Sequence, residues 1–245
     1  MSQNRPPYTL HNVSVTAIQS VTPHMKRISI DGRDLLNLRP DLPAQWLKVY
    51  VGSEANQRGV GRAYTVRRFD PSTGVLDLDF ALHGDEGPIS AWAARAQVGD
   101  KFEVSDIHPR SGFSIEPVTS KYLLAADATG LPGLAAILEA LPAHAQAHVF
   151  AEVSDVAEEQ PLASAAKLTV TWLHRGGARP GSATPLESAV TAYNFPEDTA
   201  IWIAAESSQV AGIRRSLRER GTPSIDLCAA GYWKRGEADH RDSNS

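Results

Sequence analysis

A chain of 245 residues with 42% apolar and 21% charged residues has room for two domains of ordinary size and the composition of a folded globular protein rather than a disordered one. Its formal charge of −4 at pH 7 argues against a general nucleic-acid binder, which carries a basic excess. The single cysteine, Cys228, excludes an internal disulfide and a cysteine zinc cluster, and no run approaches the ~18 apolar residues needed for a membrane span. Met1 to Val13 is polar, holds two prolines and lacks the apolar core of a signal peptide, so a cytoplasmic location is expected.

Taken in order, His11–Ser20 and Met25–Asp31 alternate as strands, the second followed by the turn residues Gly32 and Asp34. Leu35–Asp41 reads as loop, with Pro40 and Pro43 preventing a helix. Gln45–Val51 alternates again, with Leu47, Val49 and Val51 inward and Trp46, Lys48 and Tyr50 on the other face. After Gly59 and Gly61, the turn Asp70–Gly74 joins Ala63–Arg68 to Val75–His83 as a hairpin. In that second strand Leu76, Leu78, Phe80 and Leu82 share the core face, while Val75, Asp77, Asp79, Ala81 and His83 share the other. A helix Ile89–Ala96 and a late strand Lys101–Val104 complete a β-rich half, residues 1–116, expected to form a small antiparallel barrel.

Past Pro117 the pattern changes. An apolar run Lys121–Ala126 meets the turn Asp127-Ala128-Thr129-Gly130 and a helix Leu131–Leu141, with Pro132 in its first turn. Strands Ala147–Val153, Lys167–Leu173, Ala200–Ala205 and Ser224–Ala229 follow, with helices Thr184–Tyr193 and Ser208–Arg220 between them. Apolar strands alternating with helices imply a parallel, Rossmann-like sheet over residues 117–236, covered on both faces, and a frayed polar tail 237–245. The expected fold is therefore a two-domain α+β chain. Ligands of such a sheet lie beyond the carboxyl ends of its strands, which here carry Asp127, Thr129, Gly130, Glu152, Ser154, His174, Arg175, Glu206 and Gly231.

Chemistry concentrates in Arg62-Ala63-Tyr64-Thr65-Val66-Arg67 and the helix start Gly87-Pro88-Ile89-Ser90. A cation, an aromatic ring and a hydroxyl on one strand, next to a Gly-rich helix start, suit a planar cofactor with a phosphate tail. Arg62 and the helix N-terminus would take the diphosphate, Tyr64 would lie on a ring system, and Thr65 would donate to a ring nitrogen. The plainer alternative is a hairpin with an exposed arginine and a core-edge tyrosine. The turn Asp127-Ala128-Thr129-Gly130-Leu131-Pro132 can present N–H groups to a diphosphate, although it lacks G-x-G-x-x-G; the alternative is a tight turn with Thr129 as helix cap. His174 and Arg175 suit a 2′-phosphate or an ordinary solvated loop end. The arginines of Arg214–Arg220 read as a solvated helix face, and the eight histidines show no metal-ligand spacing such as H-E-x-x-H.

The stretches R-A-Y-T-V-R and D-F-A-L-H-G-D-E-G-P-I-S-A-W-A resemble those of the siderophore-interacting protein family, flavoproteins of the ferredoxin-reductase superfamily that reduce ferric siderophores. The resemblance runs from about Val15 to Gly236. It implies FAD held by Arg62, Tyr64, Thr65, Val66, Arg67, His83, Gly87, Pro88, Ile89 and Ser90, with Tyr64 and Thr65 at the reacting ring and Thr65 near its N5. It implies NADPH or NADH as donor, placed by Asp127, Thr129, Gly130 and Glu206, and a ferric siderophore as small-molecule substrate. Iron is then a substrate and no protein-bound metal is expected. Basic residues at the substrate mouth would be Lys48 in Q-W-L-K-V-Y-V, Arg110 in H-P-R-S-G-F and Lys234 in G-Y-W-K-R-G. Members commonly show G-P-R-G where this chain has His108-Pro109-Arg110-Ser111. A monomer is the default, with no nucleic-acid partner. Two other functions stay open: a ferredoxin-type reductase with a small protein acceptor, and a non-catalytic flavin or siderophore binder whose dinucleotide site has decayed.

Overall fold

The computed structural model describes residues 9–33, 38–52, 59–82, 87–178, 185–222 and 227–237. Strands β1 (Leu10–Thr22), β2 (Met25–Asp31), β3 (Trp46–Val51), β4 (Val60–Phe69), β5 (Val75–Ala81) and β6 (Lys101–Ser105) close into an antiparallel barrel in the order β1-β2-β5-β4-β3-β6. The β4–β5 hairpin forms where its turn chemistry demands: the Asp70 carboxylate accepts the Ser72 N–H and hydroxyl, and Gly74 takes φ 75°. The alternating apolar faces meet inside. Ile28, Ile30, Leu47, Val49, Leu76, Leu78, Phe80 and Val104 are fully buried in one cluster. Helix α1 (Pro88–Arg95) adds Ile89 and Ala93 to that cluster.

The second half holds β7 (Lys121–Asp127), α2 (Leu131–Ala140), β8 (Gln146–Val153), β9 (Lys167–His174), α3 (Pro185–Ala192), β10 (Thr199–Glu206), α4 (Ser207–Glu219) and β11 (Leu227–Trp233). The sheet is parallel throughout, in the order β11-β10-β7-β8-β9. β7 shows why both its faces are apolar. Tyr122, Leu124 and Ala126 pack with α2, while Leu123 and Ala125 pack with α3 and α4. Because β7 lies between β8 and β10, the chain order reverses there, and the crevice beyond Asp127 and Glu206 is the sheet's switch point. No helix among the described residues is long and apolar enough to cross a membrane.

Two features differ from expectation. The last strand continues past Ala229 to Trp233, in register with β10 up to Ala205↔Gly231, after which an irregularity skips Tyr232 and pairs Glu206 with Trp233. Gly231 permits this, since a Cβ there would lie 2.2 Å from the Ser207 hydroxyl and 2.9 Å from its Cα, at the start of α4. Asp79, expected on a solvated face, is buried: Arg27 grips it with Nε–Oδ1 2.7 Å and Nη2–Oδ2 2.8 Å. Ser224, Thr184 and His83, at the ends of expected elements, lie outside the described residues.

Among the described residues, several contacts tie the barrel to the sheet. Arg67 on β4 reaches Glu139 on α2. Glu158, in a single 3-10 turn after β8, accepts the Thr22 hydroxyl at 2.6 Å and the His24 N–H at 3.0 Å from the β1–β2 turn. Ala44 and Phe113, from barrel loops, sit in the apolar cluster of α2 and Trp202. Ala44 takes φ 61°, the only positive φ at a non-glycine among the described residues.

Candidate functional site

The β3–β4 register sets the first part of the site. Trp46 pairs with Thr65, Leu47 with Tyr64, Lys48 with Ala63 and Val49 with Arg62. Directly opposed residues share a face, so Arg62 and Tyr64 lie on one side of the sheet, and Thr65, Trp46 and Lys48 on the other. Tyr64 is half-buried, its ring 4.4 Å from that of Phe80 and tilted by 37°. Burial pushes its phenol well above the ordinary range, with the nearby Arg62 charge opposing. Arg62 itself donates to the Gly61 carbonyl at 2.7 Å. At Gly61 a Cβ would meet the Tyr50 ring at 2.2 Å, so only glycine lets that ring lie against the β4 backbone.

The helix start follows its sequence signal. Gly87 caps α1 with no side-chain hydrogen bond, and Pro88 stands in the first turn. The Ser90 hydroxyl points back to the Ala81 carbonyl at 3.4 Å, and Ile89 buries its side chain in the barrel. Val66 is buried likewise. Arg67 lies on the Thr65 side of the strand and binds Glu139 through both terminal nitrogens, at 3.1 and 2.5 Å, beside a cleft of about 230 Å³ lined by Pro40, Leu42, Val66, Arg67, Arg68 and Glu139. The structure therefore brings Arg62 and Tyr64 together and sends Arg67 elsewhere.

Thr65 is where the two halves meet. The Tyr232 hydroxyl of β11 stands beside this buried threonine, and burial pushes its pKa up to about 12 against the opposing influence of Thr65. The next residue, Trp233, donates its indole N–H to Asp127 Oδ2 at 2.7 Å. The carboxyl edge of the sheet thus lies against the β3–β4 edge of the barrel, around one threonine. Beside it, the Trp46 indole carries the His108 imidazole, with centroids 4.2 Å apart and planes inclined by 17°.

At the switch point the sequence offered two readings, and the geometry matches the tight turn. Asp127 Oδ1 accepts the Thr129 N–H and hydroxyl at 2.8 and 2.6 Å and the Gly130 N–H at 3.3 Å, so a buried carboxylate, not Thr129, takes the donors of the turn. A Cβ on Gly130 would sit 2.4 Å from the Ala204 carbonyl, which makes this glycine a packing requirement. Glu206 caps α4 in the same manner, accepting from Ser208 N at 2.6 Å, Gln209 N at 3.2 Å and Arg235 N at 3.3 Å. Farther along, His174 bonds Glu159 at 2.8 Å, and Arg175 Nε stands 3.9 Å from Glu152. Both side chains thus face carboxylates.

Of the three basic positions, Lys48 lies on the Trp46 face, with its N–H donating to Ser105 Oγ at 2.9 Å. Arg110 is exposed just beyond His108. Lys234 follows Trp233 and pairs with Glu237. His83 lies outside the described residues. Sequence reasoning missed Trp46, His108, Tyr232 and Trp233. The G-Y-W-K-R-G stretch held two of them, and its aromatic pair so close to the chain end was the available signal.

A closed barrel carrying R-x-Y-T beside an uncapped helix start, followed by a parallel α/β sheet, is the architecture of ferredoxin-reductase-like flavoproteins. The fold of a ferredoxin reductase in carbazole 1,9a-dioxygenase superposes with a TM-score of 0.68 over 93% of this chain and 70% of that one, at 17% identity, a likeness of fold alone. The model of the siderophore-interacting FAD-binding domain matches residues 36–111, and that of the siderophore-interacting protein matches residues 119–236. A siderophore utilization protein from T. fusca is 35% identical, with a TM-score of 0.85 over 96% of this chain and 97% of that one. The ferric vibriobactin reductase ViuB of Vibrio cholerae is 28% identical over 239 residues, 89% of this chain and 86% of its own. The chain belongs to the siderophore-interacting protein family.

Proposed function

We propose that this protein is a ferric-siderophore reductase that takes electrons from NADH or NADPH, passes them through FAD and delivers them to Fe(III) held by a siderophore in the cytoplasm, releasing Fe(II). The observation that carries this reading is the Trp233 indole bond to Asp127 at the switch point, with Tyr232, the residue before it, beside Thr65 of the flavin-type strand. The family and the activity named for the Vibrio cholerae relative support the substrate. The division of labour is residues 1–116 for FAD and 117–236 for the nicotinamide donor.

The residues present fit FAD. The start of α1 has no side-chain cap, leaving room for an anion at its partial positive charge. The Tyr64 ring is backed by Phe80 and only partly buried, which leaves it some surface for stacking. In this assignment Arg62 and the backbone of Gly87, Pro88, Ile89 and Ser90 hold the diphosphate, Tyr64 supports the ring system, and Thr65 presents its hydroxyl at the ring edge. FAD when bound accepts two electrons from a nicotinamide and releases them singly, which is the conversion ferric iron requires. Lys48 and Arg110 give the Thr65 side of the barrel a positive field that draws an anionic chelate. Asp127, Thr129, Gly130 and Glu206 shape the donor's entry edge, but their carboxylates already take the local N–H groups, so the donor's diphosphate is held by other groups there.

The test is anaerobic turnover of the flavin-loaded protein with NADH or NADPH and a ferric siderophore, with Fe(II) captured by a chromogenic ligand. Fe(II) formation that depends on flavin, donor and chelate together is the expected result. Donor oxidation without Fe(II) would remove the substrate assignment.

A further inference from the structure

The 3-10 turn after β8 ends on a buried carboxylate that the electron path does not use. Glu158 belongs to the sheet half, yet its side chain, 9% exposed, takes groups from the barrel. Oε2 accepts the Thr22 hydroxyl at 2.6 Å, Oε1 accepts the His24 N–H at 3.0 Å, and the His24 ring nitrogen Nδ1 stands 2.8 Å from Oε1. The turn is itself fixed, since Asp155 accepts the Ala157 N–H at 2.8 Å. The next residue, Glu159, stands 2.8 Å from His174 Nε2 at the end of β9. Adjacent carboxylates thus engage one histidine of the barrel and one of the sheet's ligand edge. On the barrel side the tie continues toward the flavin site: the His24 carbonyl accepts the Leu82 N–H at 2.8 Å, and the Ser90 hydroxyl of α1 reaches the carbonyl of Ala81 at 3.4 Å.

The place of Glu158 along the sheet gives the contact its consequence. In the order β11-β10-β7-β8-β9, Tyr232 meets the barrel on the β11 flank, and α2, which packs on the central β7, meets it through Glu139 and the Ala44–Phe113 contacts. Contacts at one flank and the centre leave the other flank free to swing about them. Glu158 closes that freedom beside β8 and β9, whose carboxyl ends belong to the ligand edge of a sheet of this kind. We infer that Glu158 is a positioning residue: through Thr22 and His24 it anchors the β8–β9 flank of the donor domain on the flavin barrel and so sets how the donor meets the flavin. This role rests on the reductase reading and concerns the step from donor to flavin.

The experiment uses FAD-loaded full-length protein: wild type, Glu158→Ala, Glu158→Gln and Thr22→Val, each checked for unchanged flavin content well below its unfolding temperature. Anaerobic stopped-flow mixing with saturating NADH or NADPH reads the limiting rate of flavin reduction. Glu158→Ala should lower it about ten- to a hundredfold, the cost of a donor displaced by about 1 Å, while reduction by dithionite, which needs no docked donor, stays as in wild type. Glu158→Gln, which keeps one accepting oxygen, should recover part of the rate, and Thr22→Val should lose less than Glu158→Ala. A second arm places spin labels on Cys228, the single cysteine and exposed, and on Val98→Cys at an exposed barrel turn. Pulsed electron resonance should give one narrow distance in the labelled Val98→Cys protein and a broadened or shifted one once Glu158→Ala is added. An unchanged distance overturns the inference. So does a broadened distance with an unchanged limiting rate, a Glu158→Gln variant as slow as Glu158→Ala, or an equal loss of the dithionite rate. A wild-type flavin that neither donor reduces overturns the reductase reading instead, and the label distances still decide whether Glu158 anchors the domains.

Discussion

Replacing Arg67 separates a structural role from a cofactor role for a residue inside the flavin-type motif. Its side chain is only 10% exposed, spans from the barrel to α2, and holds Glu139 with two bonds while standing 3.9 Å from the buried Asp79. Arg67→Ala removes the fork on Glu139, strips packing from the arginine stem, and leaves Asp79 to Arg27 alone. Because Glu139 is 40% exposed and rehydrates, the Glu139 contribution is modest, and the total loss should be about 2 kcal/mol. Arg67→Lys should recover part of it, since an ammonium cannot reproduce the fork. Urea unfolding of the apoprotein measures the loss, and FAD titration should show an affinity within about twofold of wild type, a difference of only ~0.4 kcal/mol. The bonds from Arg67, more than any other influence, hold the Glu139 carboxyl below its ordinary value of 4.5. A folded value below the unfolded one means the stabilisation is complete above that pH and fades as pH falls below it, so this acid-side slope should flatten in Arg67→Ala. A tenfold loss of FAD affinity with unchanged unfolding free energy would refute the reasoning.

On the opposite face of the same strand, Arg62→Ala should weaken FAD binding by about 1.5–3 kcal/mol through loss of a charge-assisted contact, and Tyr64→Ala should weaken it through lost stacking; reconstitution of apoprotein with FAD measures both. Gly130→Ala should cost about 1–3 kcal/mol, because its Cβ would press on the Ala204 carbonyl and force α2 from β10, a loss visible in thermal melts without any donor present. Glu158→Ala should cost about 1–2 kcal/mol by leaving the Thr22 hydroxyl without its carboxylate, with Glu158→Gln retaining part; unfolding followed by both near-ultraviolet and far-ultraviolet signals checks the loss.

Much of the architecture was legible because period and turn chemistry agree. Leu76, Leu78 and Phe80 with Asp70–Gly74 define the hairpin, and the apolar run Tyr122–Ala126 is apolar throughout because helices cover both faces of β7. Alternation assigns faces but does not say what covers them. Asp79 therefore read as solvated, although Arg27, from a strand far away in sequence, closes over it. The last strand was expected to end at Ala229, before Gly231, because the room this glycine makes beside Ser207 exists only once α4 packs against β11. The strand's continuation delivers Tyr232 and Trp233 to Thr65 and Asp127, so the junction of the two halves was invisible to local patterns. At Asp127-Ala128-Thr129-Gly130 the sequence permitted either a phosphate turn or a self-capped turn, and only the carboxylate's direction separates them.

The most direct measurement is the flavin absorbance near about 450 nm during sequential anaerobic mixing, since the electron path is the cofactor's. NADH or NADPH should bleach the band of the loaded protein, and a ferric siderophore added next should restore it while about two Fe(II) appear per reduced FAD, as electron balance requires. A flavin that stays bleached in the presence of the ferric chelate, with no Fe(II) trapped, would contradict the account.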